Sequence, residues 1–221
     1  ALLKFFTVLT SLGAKERLAL SFRHMKDDPQ NHIRVIPPLL RREVTLHEPY
    51  SGDYIHGYMV NAGFSENVMK WHRQHPGIPL RFFWDKWEEE PVKRVDNTLS
   101  FYQLDDVEFL RQMAGCKAYA STAGFESVCE AMYLGKPILM VPAHIEQDCN
   151  AYDAEKSGAG IISSDFNLQQ LLEFAKDYHP NRDFVYWVRG AEYTLLNLLE
   201  SDSSNYQQVL FNEMYLVEEF I

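Results

Sequence analysis

The sequence predicts an α/β fold, a parallel sheet with helices on both faces, and two observations carry that reading. From Asp53 onward, short apolar segments alternate with amphipathic ones at regular spacing, the rhythm of strands joined by helical crossovers. The punctuation also falls in the right places. "GFESVCEAMYL" is closed by the following Gly135, with Pro137 after it, a helix stop followed by a residue that cannot continue the helix. No repeat and no low-complexity stretch breaks the pattern.

Taken in order, residues 1 to 16 have helical spacing through Leu2, Phe5, Phe6 and Leu9, and "RLALSF" reads as a short strand. "HMKDDPQNH" is a polar loop, and "IRVIPPLL" is a second strand stopped by Pro37 and Pro38. "RREVTLHEPYSGD" is polar and irregular, as a linker between domains would be. Then follow the strand "YIHGYMVN", the helix "SENVMKWHRQ", the strand "PLRFFW" and a charged solvated loop, "DKWEEEPVKRVDN". "TLSFYQ" is a strand, "DDVEFLRQMAG" a helix, "KAYA" a strand and "GFESVCEAMYL" a helix. "PILMVP" and "GIISS" are strands flanking the helix "QDCNAYDAEKSG", with further helices from about Leu168. The expected division is therefore 1–44 as the end of one domain with its linker, 45–200 as an α/β domain, and 201–221 as a terminal helix or tail. One helix and two strands are too little for a domain, and the first residues read as the middle of a helix. The chain is expected to be a piece of something longer.

Composition narrows the function. The 221 residues are 46% hydrophobic, enough for a sizeable core. A net charge of −10 argues against nucleic acid as a partner, since phosphate backbones are held by clustered Lys and Arg. A single nucleotide remains possible, because one helix N-terminus can hold a diphosphate. Cys116, Cys129 and Cys149 form no CxxC pair and suit buried thiols in a reducing compartment. No apolar run approaches the roughly 20 residues of a membrane span, and "KERLALSF" after the opening apolar run is no signal-peptide cleavage site. A cytoplasmic location, at most peripheral to the inner face of the membrane, is expected.

In a sheet of this kind ligands sit beyond the carboxyl ends of the strands, so the loops "NAGFS", "QLDD" and "STAG" matter most. The helix after "STAG" carries two stripes. Phe125, Val128, Cys129 and Met132 follow the spacing of a buried face, whereas Gly124, Ser127 and Glu130 recur every third residue on another line. A phosphate could rest on the amides of Ala123 and Gly124, favoured by the helix dipole, with the Ser127 hydroxyl as a further donor. Glu130 lies too deep for that anion, and its two oxygens suit the paired hydroxyls of a ribose. Glu146 and Gln147, at the start of the next helix, could read the hydroxyls of a sugar attached to the diphosphate. The alternative for Glu130 is a surface glutamate; its apolar setting favours the ligand. Ser127 alone could simply bond its own helix backbone. His144, Glu146 and Cys149 do not amount to a metal site, so no metal and no cofactor is expected. His56, His72 and His75 read as structural residues.

"GFESVCEAMYLGKPILMVPAHIEQDCNA" resembles the donor signature of GT-B glycosyltransferases that use UDP-sugars, GxxSxxE…GxP…P…(D/E)QxxNA. It is similar to the UDP-glycosyltransferases and the peptidoglycan N-acetylglucosaminyltransferase, and the whole sequence resembles a group of bacterial proteins of that class. The resemblance is specific from Gly124 to Ala151 and looser from Asp53 to about Ser164. It implies two facing Rossmann-like domains, with the donor on the second and the acceptor and catalytic base largely on the first. This chain would then hold the donor half and the last piece of the acceptor half, with Pro37 to Tyr50 as hinge, and would be inactive alone. Gly124 and Ser127 would serve the diphosphate, Glu130 the ribose, and Glu146 with Gln147 the donor sugar. The loop at Leu104 would meet the base through its backbone, and Gly63 lies in the first strand's loop. Thr122 stands where a phosphate-binding histidine is usual, and Phe125 and Glu126 where tryptophan and asparagine are usual. Glu126 is expected to point away or pair with a cation. In retaining enzymes of the E-x7-E type the first glutamate would fall at Thr122, so its absence favours inversion. The catalytic residue stays unassigned, and the acceptor is a saccharide, a lipid or a small molecule. Two rivals stay open: a nucleotide-sugar epimerase of similar fold, and a non-catalytic donor-binding subunit.

Overall fold

The computed structural model describes residues 2–86 and 90–200; the expected tail at 201–221 and most of the "WEEE" run lie outside them. Among the described residues, those up to Leu39 together with 186–200 form one compact unit, and those within Leu40–Val185 form another.

The first unit contains α1 (Leu2–Thr10), β1 (Arg17–Leu20) and β2 (Ile33–Ile36). The two strands pair in parallel from Arg17 opposite Ile33 to Leu20 opposite Ile36. The Trp187 indole donates to the Ser21 carbonyl at 3.1 Å, which ties the far end of the chain to the end of β1.

The second unit opens with α2 (Arg42–Leu46), a five-residue helix inside the segment expected to be irregular. It forms because Val44 buries completely; an isolated turn this short would not hold in water. Next come β3 (Ile55–Met59), α3 (Ser65–Gln74), β4 (Leu80–Trp84), β5 (Val92–Arg94), β6 (Leu99–Gln103) and α4 (Asp106–Gly115). They are followed by β7 (Ala118–Ser121), α5 (Phe125–Tyr133), β8 (Ile138–Met140), α6 (Ile145–Lys156), β9 (Gly160–Ile162), α7 (Leu168–Phe174) and the start of α8 (Arg182–Arg189), whose residues from Tyr186 belong to the first unit. The sheet order is β5-β6-β4-β3-β7-β8-β9. Every pairing is parallel except β5 against β6. The charged stretch expected to be a loop therefore contains an edge strand. Its Lys93 and Arg94 are exposed, as suits an edge that must not recruit a further strand.

Central strands read as apolar runs because both their faces are covered. Phe82, Leu99, Phe101, Leu139 and Val141 belong to one core cluster with Val68 of α3 and Leu168 and Leu171 of α7. In β3, a Cβ on Gly57 would run into the Phe82 ring, so glycine is the residue that lets that ring lie across the sheet. Gly135 closes α5 at φ +67°, the left-handed stop that its position announces. The chain builds outward from β3 through β4 to β6, then crosses back to β7 and builds the other way. The loops after β3 and β7 thus diverge, which opens a crevice at their carboxyl ends. Among the described residues no helix is long and apolar enough to cross a membrane.

His56 of β3 is fully buried in an aromatic box. It stacks on Tyr119 at 5.4 Å and meets Phe83 and Phe109 edge-on. Both ring nitrogens are buried away from solvent. Burial, aided by the Arg81 charge, pushes its pKa down to about 3. The unfolded chain therefore binds a proton below about pH 6.5 that the folded chain refuses, and stability falls with pH by up to about 1.4 kcal/mol per unit. Urea unfolding at pH 7 and pH 5 is expected to show a steeper acid loss in the wild type than in His56→Phe. Equal slopes would place the titrating group elsewhere.

Candidate functional site: a cavity at the sheet crossover

The turn from β7 into α5 is the most constrained part of this crevice. Ala123 sits at φ +61°, a conformation that costs a non-glycine residue about 1 kcal/mol and so needs holding in place. Its amide donates to Ser121 Oγ at 3.1 Å, and its carbonyl accepts from Asn150 Nδ2 at 3.3 Å. Thr122 is buried and turned back to β3: its amide donates to the Tyr58 carbonyl, and its Oγ1 accepts from the Val60 amide. Gly124 caps α5 with extended backbone and no side-chain cap hydrogen bond, so the start of this helix presents its dipole to whatever lies ahead.

Ahead lies a cavity of 270 Å³ lined by Arg41, Tyr58, Leu104, Asp106, Phe109, Gly124, Phe125, Glu126, Ser127 and Glu130. The aromatic members supply flat apolar surface, and Ser127 Oγ donates to the Gly124 carbonyl at 3.2 Å. Val128, Cys129 and Met132 are buried as the apolar stripe requires, while Phe125 is only half-buried. Cys116 and Cys129 are buried, but Cys149 is exposed, because it falls on the outer side of α6.

Glu130 is the most deeply placed charge, with a side chain 0% exposed. Arg41 meets it with two parallel bonds, Nε to Oε1 at 2.6 Å and Nη2 to Oε2 at 2.8 Å, the fork geometry guanidinium makes with carboxylate. The same guanidinium reaches Asp106 at 3.0 Å and Glu126 at 3.8 Å, so Glu126 has the cation expected of it. Burial pushes the Glu130 carboxyl up, and the Arg41 bonds work against that shift. The guanidinium is held more firmly protonated by Glu130.

Of the donor-site residues expected from the sequence, the fold brings Leu104, Gly124, Phe125, Ser127 and Glu130 to one cavity. Gly63, Thr122, Ala123, Glu146 and Gln147 do not line it. Gly63 turns its amide to Asn61 Oδ1 at 2.8 Å. Glu146 is exposed at the start of α6, and Gln147 is buried with Oε1 accepting from the Ala143 amide at 2.8 Å. Sequence reasoning missed Arg41, 89 residues from its partner, and the role of Asn150 in bracing the turn. A buried glutamate implies a cation, which was the available signal for Arg41.

The chain matches, over residues 12–178, the model of a family described as Glycosyl transferase family 1. A Caenorhabditis elegans protein named as a UDP-glucuronosyltransferase, ugt-48, is 26% identical over 105 residues, which are 47% of this chain and 20% of that one. Among solved structures, the glycotransferase of kitacinnamycin superposes with a TM-score of 0.59 at 14% identity, covering 85% of this chain and 54% of that one. Arabidopsis thaliana UGT89C1, complexed with quercetin, gives 0.54 at 15% identity, with 78% and 51% covered. At these identities the structures show the fold, that of GT-B glycosyltransferases. The chain spans about half the length of these solved structures and a fifth of the curated relative.

Removing Arg41 strands a buried carboxylate. Arg41→Gln is expected to lower stability by about 2 kcal/mol at pH 7, as an unmet buried charge does. The Glu130 pKa then rises further, the folded state binds a proton that the unfolded state does not, and the loss shrinks toward pH 5. Denaturant unfolding at both pH values checks this; a penalty independent of pH would contradict it.

Proposed function

Because the chain belongs to glycosyl transferase family 1, we propose that residues 45–200 are the nucleotide-sugar-binding half of an inverting glycosyltransferase. Residues 1–44 then end the acceptor half, with Pro37 to Tyr50 as hinge, and the rest of that half is a partner in the same protein. One observation carries the reading. Gly124, Ser127 and Glu130 share a cavity with Tyr58, Phe109 and Phe125 at the crossover of a parallel sheet, where folds of this kind bind nucleotides.

The donor's diphosphate lies at the start of α5, on the amides from Gly124 onward, since the Ala123 amide is already engaged by Ser121. The ribose diol donates to Glu130, Leu104 meets a uracil-like base through its backbone, and Ser127 turns its hydroxyl toward phosphate. Glu146 and the amide nitrogen of Gln147 face the sugar. A base from the acceptor half removes the acceptor's hydroxyl proton, and the freed oxygen attacks the anomeric carbon. The bond from that carbon to the diphosphate breaks on the opposite face, and its electron pair leaves with the diphosphate. Helix amides and the Ser127 hydroxyl stabilise the charge that develops there. Membership of a transferase family weighs against the epimerase alternative.

Calorimetric titration with UDP tests the reading. Binding is expected, and Glu130→Ala should weaken it about tenfold or more, the worth of hydrogen bonds to a charged group. Ser127→Ala should cost a smaller factor, about threefold to tenfold. Unchanged affinity in Glu130→Ala would refute the ribose role.

A further inference from the structure

Four charged side chains line the cavity: the single cation Arg41, and the carboxylates Asp106, Glu126 and Glu130. For a site that admits a diphosphate this balance is adverse, because the entering anion meets more negative charge than positive. Moreover, the side chain of Glu130 is 0% exposed while both its oxygens are engaged by Arg41. A diol cannot reach those oxygens until the guanidinium moves.

Resting on the nucleotide-sugar reading above, we propose that Arg41 is a second donor-binding residue that exchanges partners with Glu130 when the nucleotide enters. In the free chain the two groups satisfy one another. On binding, the guanidinium swings to the phosphate oxygens, and the diol hydroxyls take its place on Glu130. The hydrogen bonds balance. Two N–H donors leave carboxylate oxygens for phosphate oxygens, and two O–H donors replace them. A guanidinium matches phosphate bidentately as well as it matches carboxylate, and a carboxylate accepts from a diol through both oxygens. Neither charge is left buried alone at any stage, a condition whose breach would be costly. The other holds on Arg41 are weak, since Asp106 is 89% and Glu126 65% exposed, and exposed ion pairs contribute little.

The exchange requires both halves of the ligand. Uridine, which offers a diol and no phosphate, would free Glu130 only by leaving Arg41 with the exposed carboxylates Asp106 and Glu126 as its remaining partners. The site should therefore prefer UDP to uridine by a margin that Arg41 itself sets. Calorimetric titration of the whole chain with each ligand, on wild type and Arg41→Gln, reads that margin. The expected result is UDP binding weakened about tenfold or more, with uridine binding unchanged or tighter because Glu130 is unlatched. If both ligands weaken alike, Arg41 only supports the structure and the exchange is overturned. It is overturned equally if UDP binds as well or better. Should Arg41→Gln not fold, Arg41→Lys keeps the charge but cannot span both Glu130 oxygens. In that variant the ratio of uridine to UDP dissociation constants must still narrow, and an unchanged ratio contradicts the proposal. UDP that binds nowhere, or that ignores Glu130→Ala, would instead sink the underlying nucleotide reading.

Discussion

An ionised carboxylate without solvent exposure is costly unless a cation or hydrogen-bond donors compensate it, and here Arg41 does so for Glu130 through a two-pronged bond. The pair joins the segment entering the α/β unit to the second turn of α5. Such a pair contributes little net stability, because the two desolvation costs offset the Coulombic gain. It does fix geometry: Glu130 points one way, Arg41 is drawn over the crevice, and the start of α5 keeps its place relative to the segment preceding β3.

The rest of the site follows from topology. Strand order puts the reversal between β3 and β7, so the loops after them part. Ala123 then redirects the chain in a left-handed turn, braced by Ser121 on one side and Asn150 of α6 on the other. The brace links α6 to the turn that starts α5. Later residues thus position earlier ones, and Gln147 likewise spends one of its polar atoms on the backbone before α6.

Much of this was legible in the chain itself. Alternation from Asp53 onward gives the parallel sheet, and Gly135 with Pro137 marks the end of α5. The three-residue spacing of Gly124, Ser127 and Glu130 puts them on one line, and all three reach the cavity. Other features carry no periodic signal. β5 is three residues of mixed polarity whose strand state comes from pairing with β6, and α2 owes its existence to one buried valine. Spacing locates the turn at Ala123 but does not say which of its polar groups Ser121 and the backbone at the end of β3 engage, as they do at Ala123 and Thr122. Arg41 was hidden by distance along the chain, because local patterns cannot connect a linker to a helix far downstream.

The central claim is that Glu130 and the start of α5 hold a nucleotide together. A crystal structure of the chain grown with UDP tests it most directly. The expected result places the ribose hydroxyls within about 3 Å of the Glu130 carboxylate, the diphosphate ahead of Gly124, and Arg41 drawn off Glu130 toward the phosphates. Nucleotide bound elsewhere, with the Arg41–Glu130 pair intact, would contradict it.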